Sequence, residues 1–196
     1  MKLTFTSSDV QNADVINDDG LYIYKIDTPF SFFQSLAKPT TISKVSIHEG
    51  ARVVSPAGEI EWHKWSSSII RFGGHEMQTS LFIPSRGFTG LTHYFTGHDG
   101  RPYKWKLGPD ACTLKRDDAS EAIVARFHHA NHGIMKPKHD AYLEVWPDII
   151  HMVDLVLVTF IYVEKLRRDH NRSRQTHRSQ GLGSGLMAAN NLNMTM

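Results

Sequence analysis

Residues 149–163 read Ile149-Ile150-His151-Met152-Val153-Asp154-Leu155-Val156-Leu157-Val158-Thr159-Phe160-Ile161-Tyr162-Val163, a run that is apolar nearly all round. Three structures suit such a run: a buried helix, a membrane span and a long central strand. A span is opposed by length, since a bilayer needs about 20 apolar residues, and by His151 and Asp154 inside the run. The β-branched content keeps the strand open. The helix is favoured by Pro147 ahead of the run, by Asp148 near the positive end of a helix dipole, and by Lys165, Arg167 and Arg168 near the negative end. A helix apolar on every face must be enclosed on every face.

What could enclose it lies upstream. Residues 1 to about 147 break into short runs rich in Val, Ile, Thr, Tyr, Phe and Trp, separated by Gly, Pro, Asn and Asp. Strands are predicted at 21–26, 41–47, 52–54, 59–62, 67–72, 91–95, 102–107, 112–115, 121–127 and 141–146, with Ser55-Pro56-Ala57-Gly58 as punctuation between the third and fourth. Asp99-Gly100 supplies the positive φ of a tight hairpin between Phe95 and Pro102. A mainly β, antiparallel β-barrel wrapped around a central helix at about 148–168 satisfies both halves, because closure removes strand edges and lines the helix with apolar side chains. Residues 169–196 lack periodicity and aromatics and are predicted as a disordered basic tail.

Composition fits one domain of 1–168: 40% hydrophobic and 21% charged residues in a 196-residue chain. The charge is unevenly placed. Six basic residues (Lys165, Arg167, Arg168, Arg172, Arg174, Arg178) against Asp169 alone give 165–196 a charge of +5. The whole chain is +2, so residues 1–164 carry −3. A nucleic-acid module would carry its basic stripe on the folded surface, so no nucleic-acid partner is expected. The single Cys112 cannot form an internal disulfide and fits a reducing compartment. The first twenty residues lack a signal-like apolar run. A cytoplasmic location, peripheral at membranes, follows as the expectation, and the sequons at Asn171 and Asn193 carry no weight there.

Several blocks together carry a resemblance: Leu3-Thr4-Phe5-Thr6-Ser7-Ser8, Gly58-Glu59-Ile60-Glu61-Trp62-His63, Ile70-Arg71-Phe72-Gly73-Gly74, Tyr103-Lys104-Trp105-Lys106-Leu107-Gly108 and the closing 158–168. Over about 1–168 the chain resembles an uncharacterised family of mushroom-type fungal proteins. That family is in turn similar to the tubby-like and LURP-one-related proteins and the phospholipid scramblases. The resemblance implies a barrel of about twelve strands around a hydrophobic C-terminal helix. Tubby proteins bind phosphoinositide headgroups, but no stretch of this chain matches their basic site residue by residue, and fold alone carries no function.

Chemistry is carried by weaker patterns. Twelve histidines are many for this length, and His128, His129 and His132 are candidate metal ligands, although no HExxH or CxxC spacing accompanies them and polar residues at a strand end give the same pattern. Alternation puts Glu61 and His63 on one strand face, where the carboxylate could orient the imidazole as a general base. His75 beside Glu76 invites the same reading, and a solvent-facing strand explains both. Arg71, Arg101, Lys104 and Lys106 lie on or beside strands as a candidate anion patch. Cys112 lacks a nucleophile motif, and Gly181, Gly183 and Gly185 lack the strand and lysine of a phosphate loop.

The reading that follows is a non-enzymatic binding module for an anionic membrane lipid or a small hydrophobic amphiphile. The alternative is a small enzyme with a histidine and carboxylate pocket at the barrel mouth, and a third option is an interaction scaffold. The cofactor is left open: the enzyme would be cofactor-independent or metal-dependent and would act on a hydrophobic metabolite. The enzyme requires at least two of His63, His75, His93, His98, His128, His129 and His132 to converge.

Overall fold

A computed structural model describes the backbone of residues 1–29, 39–131 and 139–190, with side chains as far as Thr176. The strands are β1 (Lys2–Phe5), β2 (Ala13–Ile16), β3 (Tyr22–Asp27), β4 (Thr40–His48), β5 (Ala51–Glu61), β6 (Ile69–Phe72), β7 (His75–Gln78), β8 (Thr92–Thr96), β9 (Pro102–Leu107), β10 (Cys112–Arg116), β11 (Ile123–His128) and β12 (Tyr142–Val145). A short helix α1 (Thr79–Phe82) follows β7, and a 3-10 turn (Pro147–Met152) leads into the long helix α2 (Val153–Asn190).

All pairings are antiparallel, in one sheet ordered β7-β6-β5-β4-β3-β2-β1-β12-β11-β10-β9-β8. The chain's first and last strands meet in its middle, with Leu3 opposite Leu143. The sheet is open, its edges being β7 and β8. Between them the backbone leaves β7 as α1, Thr79 N–H donating to the Ser68 carbonyl, and touches β8 through the isolated bridge of Ser85 with His93. Pro84, Gly87 and Gly90 in this connection are poor ladder residues.

The sheet nevertheless surrounds the helix. Alternation turns one side of each strand inward, as Tyr103, Trp105 and Leu107 on β9 show. Every strand except β7 places buried apolar residues in one core with Leu155, Val156, Leu157, Val158, Phe160, Ile161 and Val163, and those seven helix residues are at most 1% exposed. The apolar run is therefore a buried helix, not a strand. Among the described residues no helix is long and apolar enough to cross a membrane. The fully buried Thr159 hydroxyl is satisfied: Oγ1 donates to its own helix carbonyls and accepts from Trp105 Nε1 at 3.1 Å. Asp154 sits at the sheet's rim, held by Lys44 Nζ at 3.0 Å and by the Tyr24 hydroxyl, where a carboxylate also suits the helix start.

Several strand ends shift by one or two residues from the sequence reading, and two boundaries differ by more. Residues 52–54 and 59–61 belong to one strand, β5, because Pro56 sits at a bulge where the register against β4 shifts and a missing N–H is tolerated. Gly58 belongs to the core as well as to the turn-like punctuation: a Cβ there would stand 2.6 Å from Val158 Cγ2, so only glycine lets the helix come this close. The helix continues to Asn190 rather than ending at about 168. Ser173 and Thr176 hydroxyls donate to the Asp169 and Arg172 carbonyls, which keeps these exposed turns self-satisfied. The Asp99-Gly100 hairpin is as expected, with Gly100 at φ 73°.

Candidate functional site

The interior is filled by α2, so binding surfaces lie at the two ends of the sheet and on its outer face. A cleft of about 740 Å³ opens between β4, β5 and the β6–β7 turn. Its floor includes Ile42, Pro56, Ala57 and Phe72, and its rim carries Glu59, Arg71, His75 and Glu76. Glu59, Glu61 and Arg71 are drawn together because neighbouring antiparallel strands put them on one face: Arg71 is opposite Glu59 on one side and Glu76 on the other.

Arg71 is held by Glu59 (2.5 Å), Glu61 (2.8 Å) and Glu76 (2.8 Å), and these carboxylates push its already high pKa further up. Three carboxylates around one guanidinium leave the cleft acidic, so Arg71 offers no free anion site. The other members of the expected patch are similarly engaged. Lys104 is enclosed by Glu121 and Asp117, Lys106 lies 3.4 Å from Glu121, and Arg101 lies 3.9 Å from Asp99. Lys104 and Lys106 do share the outer face of β9, as alternation requires.

Glu61 and His63 are brought together as their spacing implied, with Glu61 Oε1 2.9 Å from His63 Nε2. The other ring nitrogen, Nδ1, faces the Ser67 carbonyl at 2.9 Å and Ser66 Oγ at 3.2 Å. With a carboxylate on one side and a carbonyl on the other, both nitrogens donate, and Glu61 first and Ser67 second raise the His63 pKa. Both acceptors favour the protonated ring, which in that form has no lone pair for a general base. Glu61→Gln is expected to lower the His63 pKa toward its ordinary value; a proton NMR titration of the His63 ring checks this, and an unchanged midpoint would contradict the pairing.

The remaining histidines are dispersed. His75 is exposed on β7, His98 stacks on Phe72, and His93 is buried with Nδ1 donating to the Ile83 carbonyl at 3.2 Å. His128 stacks on Tyr142 and meets Glu144 on the outer face. His129, the next residue, turns the other way, edge-on to Phe127, and accepts from Arg167. His132 lies outside the described residues. No group of three or more His, Cys, Asp or Glu able to hold a metal occurs among the described residues. Among the described residues these histidines sit on separate strands and turns, and His63, His93, His98, His128 and His129 each engage partners other than one another.

The end where α2 leaves the sheet is built differently. Glu164 is 0% exposed and receives Arg167 Nε (2.8 Å) and Arg168 Nε (2.9 Å) from the i+3 and i+4 positions, about one helical turn on. Arg167, 6% exposed, also donates to the Pro109 carbonyl and to His129 Nε2, so His129 is neutral and burial keeps its pKa low. Cys112 Sγ lies 3.4 Å from Glu164, and burial pushes its thiol pKa well up, which makes it an inert core group. Arg168 reaches across to Asp9 and the Ser8 carbonyl. Beyond this lock, Lys165, Arg168 and Arg172 line a crevice of about 420 Å³ with Asp9 and Asp169. Sequence reasoning noted the basic cluster but missed that Glu164 anchors it; the i, i+3, i+4 spacing was the available signal.

A family model described as "Family of unknown function (DUF6593)" matches residues 8–169 of the chain. No curated protein and no solved structure matches it.

Proposed function

The chain belongs to the DUF6593 family, a family of unknown function, and we propose that it is a non-enzymatic binding module of tubby-like, barrel-type fold that attaches peripherally to an anionic membrane surface from the cytoplasmic side. The observation that carries this reading is the basic end of α2. Arg172 and Arg174 are exposed past the core and have no carboxylate partner among the described residues, and Lys165 and Arg168 stand one or two turns before them. Each Lys or Arg held near an anionic leaflet contributes about 1 kcal/mol to attachment. The helix-filled interior supports a surface role, since the buried packing leaves the lipid or amphiphile only the rim and outer face.

The full chain is expected to co-sediment with phosphatidylcholine vesicles containing about one third phosphatidylserine and not with phosphatidylcholine alone. Binding should fall steeply between about 0.1 M and about 1 M salt, where the Debye length shrinks from about 10 Å to about 3 Å. Equal binding to both vesicle types, or none to either at low salt, would contradict the reading. A second reading, a small amphiphile in the 740 Å³ cleft, is favoured by its apolar floor, and the surrounding Glu59 and Glu76 select a cationic headgroup rather than an anionic one.

A further inference from the structure

The two ends of the sheet differ in a way that orients the molecule. At the end where α2 begins, Lys44 meets Asp154 and Arg116 meets Asp148, and the nearby turns carry Asp18, Asp19, Glu49, Asp117, Asp118 and Glu121. At the end where α2 leaves, Trp62 stacks on Tyr162, Lys165 Nζ lies 5.0 Å over the Trp62 ring, and Arg168 meets Asp9. Of the connections at this second end, β1–β2 and β9–β10 carry Asp9 and Asp110, whereas β5–β6 and β7–α1–β8 contribute Lys64 and Arg86 to the basic surface.

Those same two connections expose large apolar side chains: Trp65 is 98% exposed, Leu81 80% and Phe88 107%. None of the three joins the core, although neighbours Trp62 and Phe82 pack against it. Exposed apolar side chains also occur at the opposite end, where Ile47, Val53 and Val54 project on the β4–β5 hairpin. Charge distinguishes the ends, because apolar wedges enter an anionic interface where basic residues accompany them and are repelled where acidic turns do.

We propose that the end where α2 leaves the sheet is the membrane-facing pole, with Trp65, Leu81 and Phe88 inserted into the headgroup and acyl boundary of an anionic bilayer and Lys64, Lys165 and Arg172 over its phosphates. This rests on the surface-attachment reading above and adds to it the residues and the orientation. Between the two connections a crevice of about 300 Å³ is lined by hydroxyls, among them Ser66, Ser67, Thr79 and Ser80, and contains no carboxylate. It would face the headgroups in this pose.

The test compares the full chain with two triple variants on vesicles of phosphatidylcholine with about one third phosphatidylserine. Trp65→Ser/Leu81→Ser/Phe88→Ser is expected to weaken partitioning about tenfold or more, because the apolar component of attachment is lost while every basic residue remains. Ile47→Ser/Val53→Ser/Val54→Ser is expected to leave it unchanged. Far-ultraviolet circular dichroism and thermal melting confirm that both variants fold, and if a triple variant does not, the single variants Trp65→Ser and Phe88→Ser are read instead. Wild-type binding that the first triple leaves intact removes the inference and keeps the attachment reading. A wild type that binds no vesicle removes both. If the first triple instead abolishes self-association seen in sedimentation velocity while vesicle binding persists, the face joins two copies of the chain and the inference falls.

Discussion

Replacing Glu164 with alanine is expected to lower the stability of the fold by about 3–5 kcal/mol, the cost of leaving a buried guanidinium without its counter-charge. Glu164 is fully enclosed and Arg167 nearly so, and the two are tied by hydrogen bonds of 2.8 and 2.9 Å. The Pro109 carbonyl and neutral His129 remain as acceptors in the variant but neutralise no charge. Denaturant unfolding monitored by tryptophan fluorescence measures the loss. The double variant Glu164→Leu/Arg167→Met should recover most of it, because an apolar pair of similar volume has no charge to desolvate. A single variant as stable as the wild type would mean that this end of the helix is open to water.

The same lock makes stability depend on pH. Burial raises the Glu164 carboxyl pKa, but hydrogen bonds from Arg167 and Arg168 outweigh burial and hold it below the usual carboxylate range. Burial likewise lowers His129 and His93 below the usual imidazole range. For all three the folded state binds protons less readily than the unfolded chain, so stability is full above the unfolded pKa and is lost as pH falls. Acidification should therefore destabilise first through His129 and His93, partly offset by His63, whose raised pKa acts in the opposite sense, and then through Glu164 in the carboxylate range.

The second large effect is Phe160→Ala, expected to cost about 3–5 kcal/mol. The Phe160 ring is fully buried between Phe127, Phe5 and Trp105, with centroids 4.8, 5.7 and 5.9 Å away. Those three rings come from β11, β1 and β9, so the cavity would open where separate parts of the sheet converge on the helix. Phe88→Ala is the matched control. Its ring is fully exposed, and the change should stay within about 0.5 kcal/mol. Equal costs for the two would remove the claim that the sheet surrounds α2.

The enclosed helix was legible because 149–163 carries no polar stripe, and an element without one must be surrounded. Strands such as Pro102–Leu107 were legible because alternation and Gly100 mark both their faces and their turn. β1, β2 and β7 were not predicted as strands: Lys2–Phe5 and Ala13–Ile16 are only four residues long, and His75–Gln78 is a polar edge with nothing buried to reveal it. Pro56 read as a turn because a bulge is a property of two strands in register, which one strand's sequence does not show. Of the site, the pairing of Glu61 with His63 followed from spacing, whereas its saturation by Arg71 and Ser67 depends on neighbours distant in sequence. The exposure of Trp65 was the least legible feature, since an aromatic in a serine-rich turn reads equally well as core.

Amide hydrogen exchange of the full chain, with and without vesicles of phosphatidylcholine containing phosphatidylserine, tests the central claim most directly. The account predicts that 155–163 is the slowest-exchanging segment in both conditions, opening only with global unfolding. Vesicles should add protection at 64–68 and 79–90 and none at 46–54. A helix that exchanges as fast as the turns around it, or protection that appears at 46–54 instead, would contradict the account.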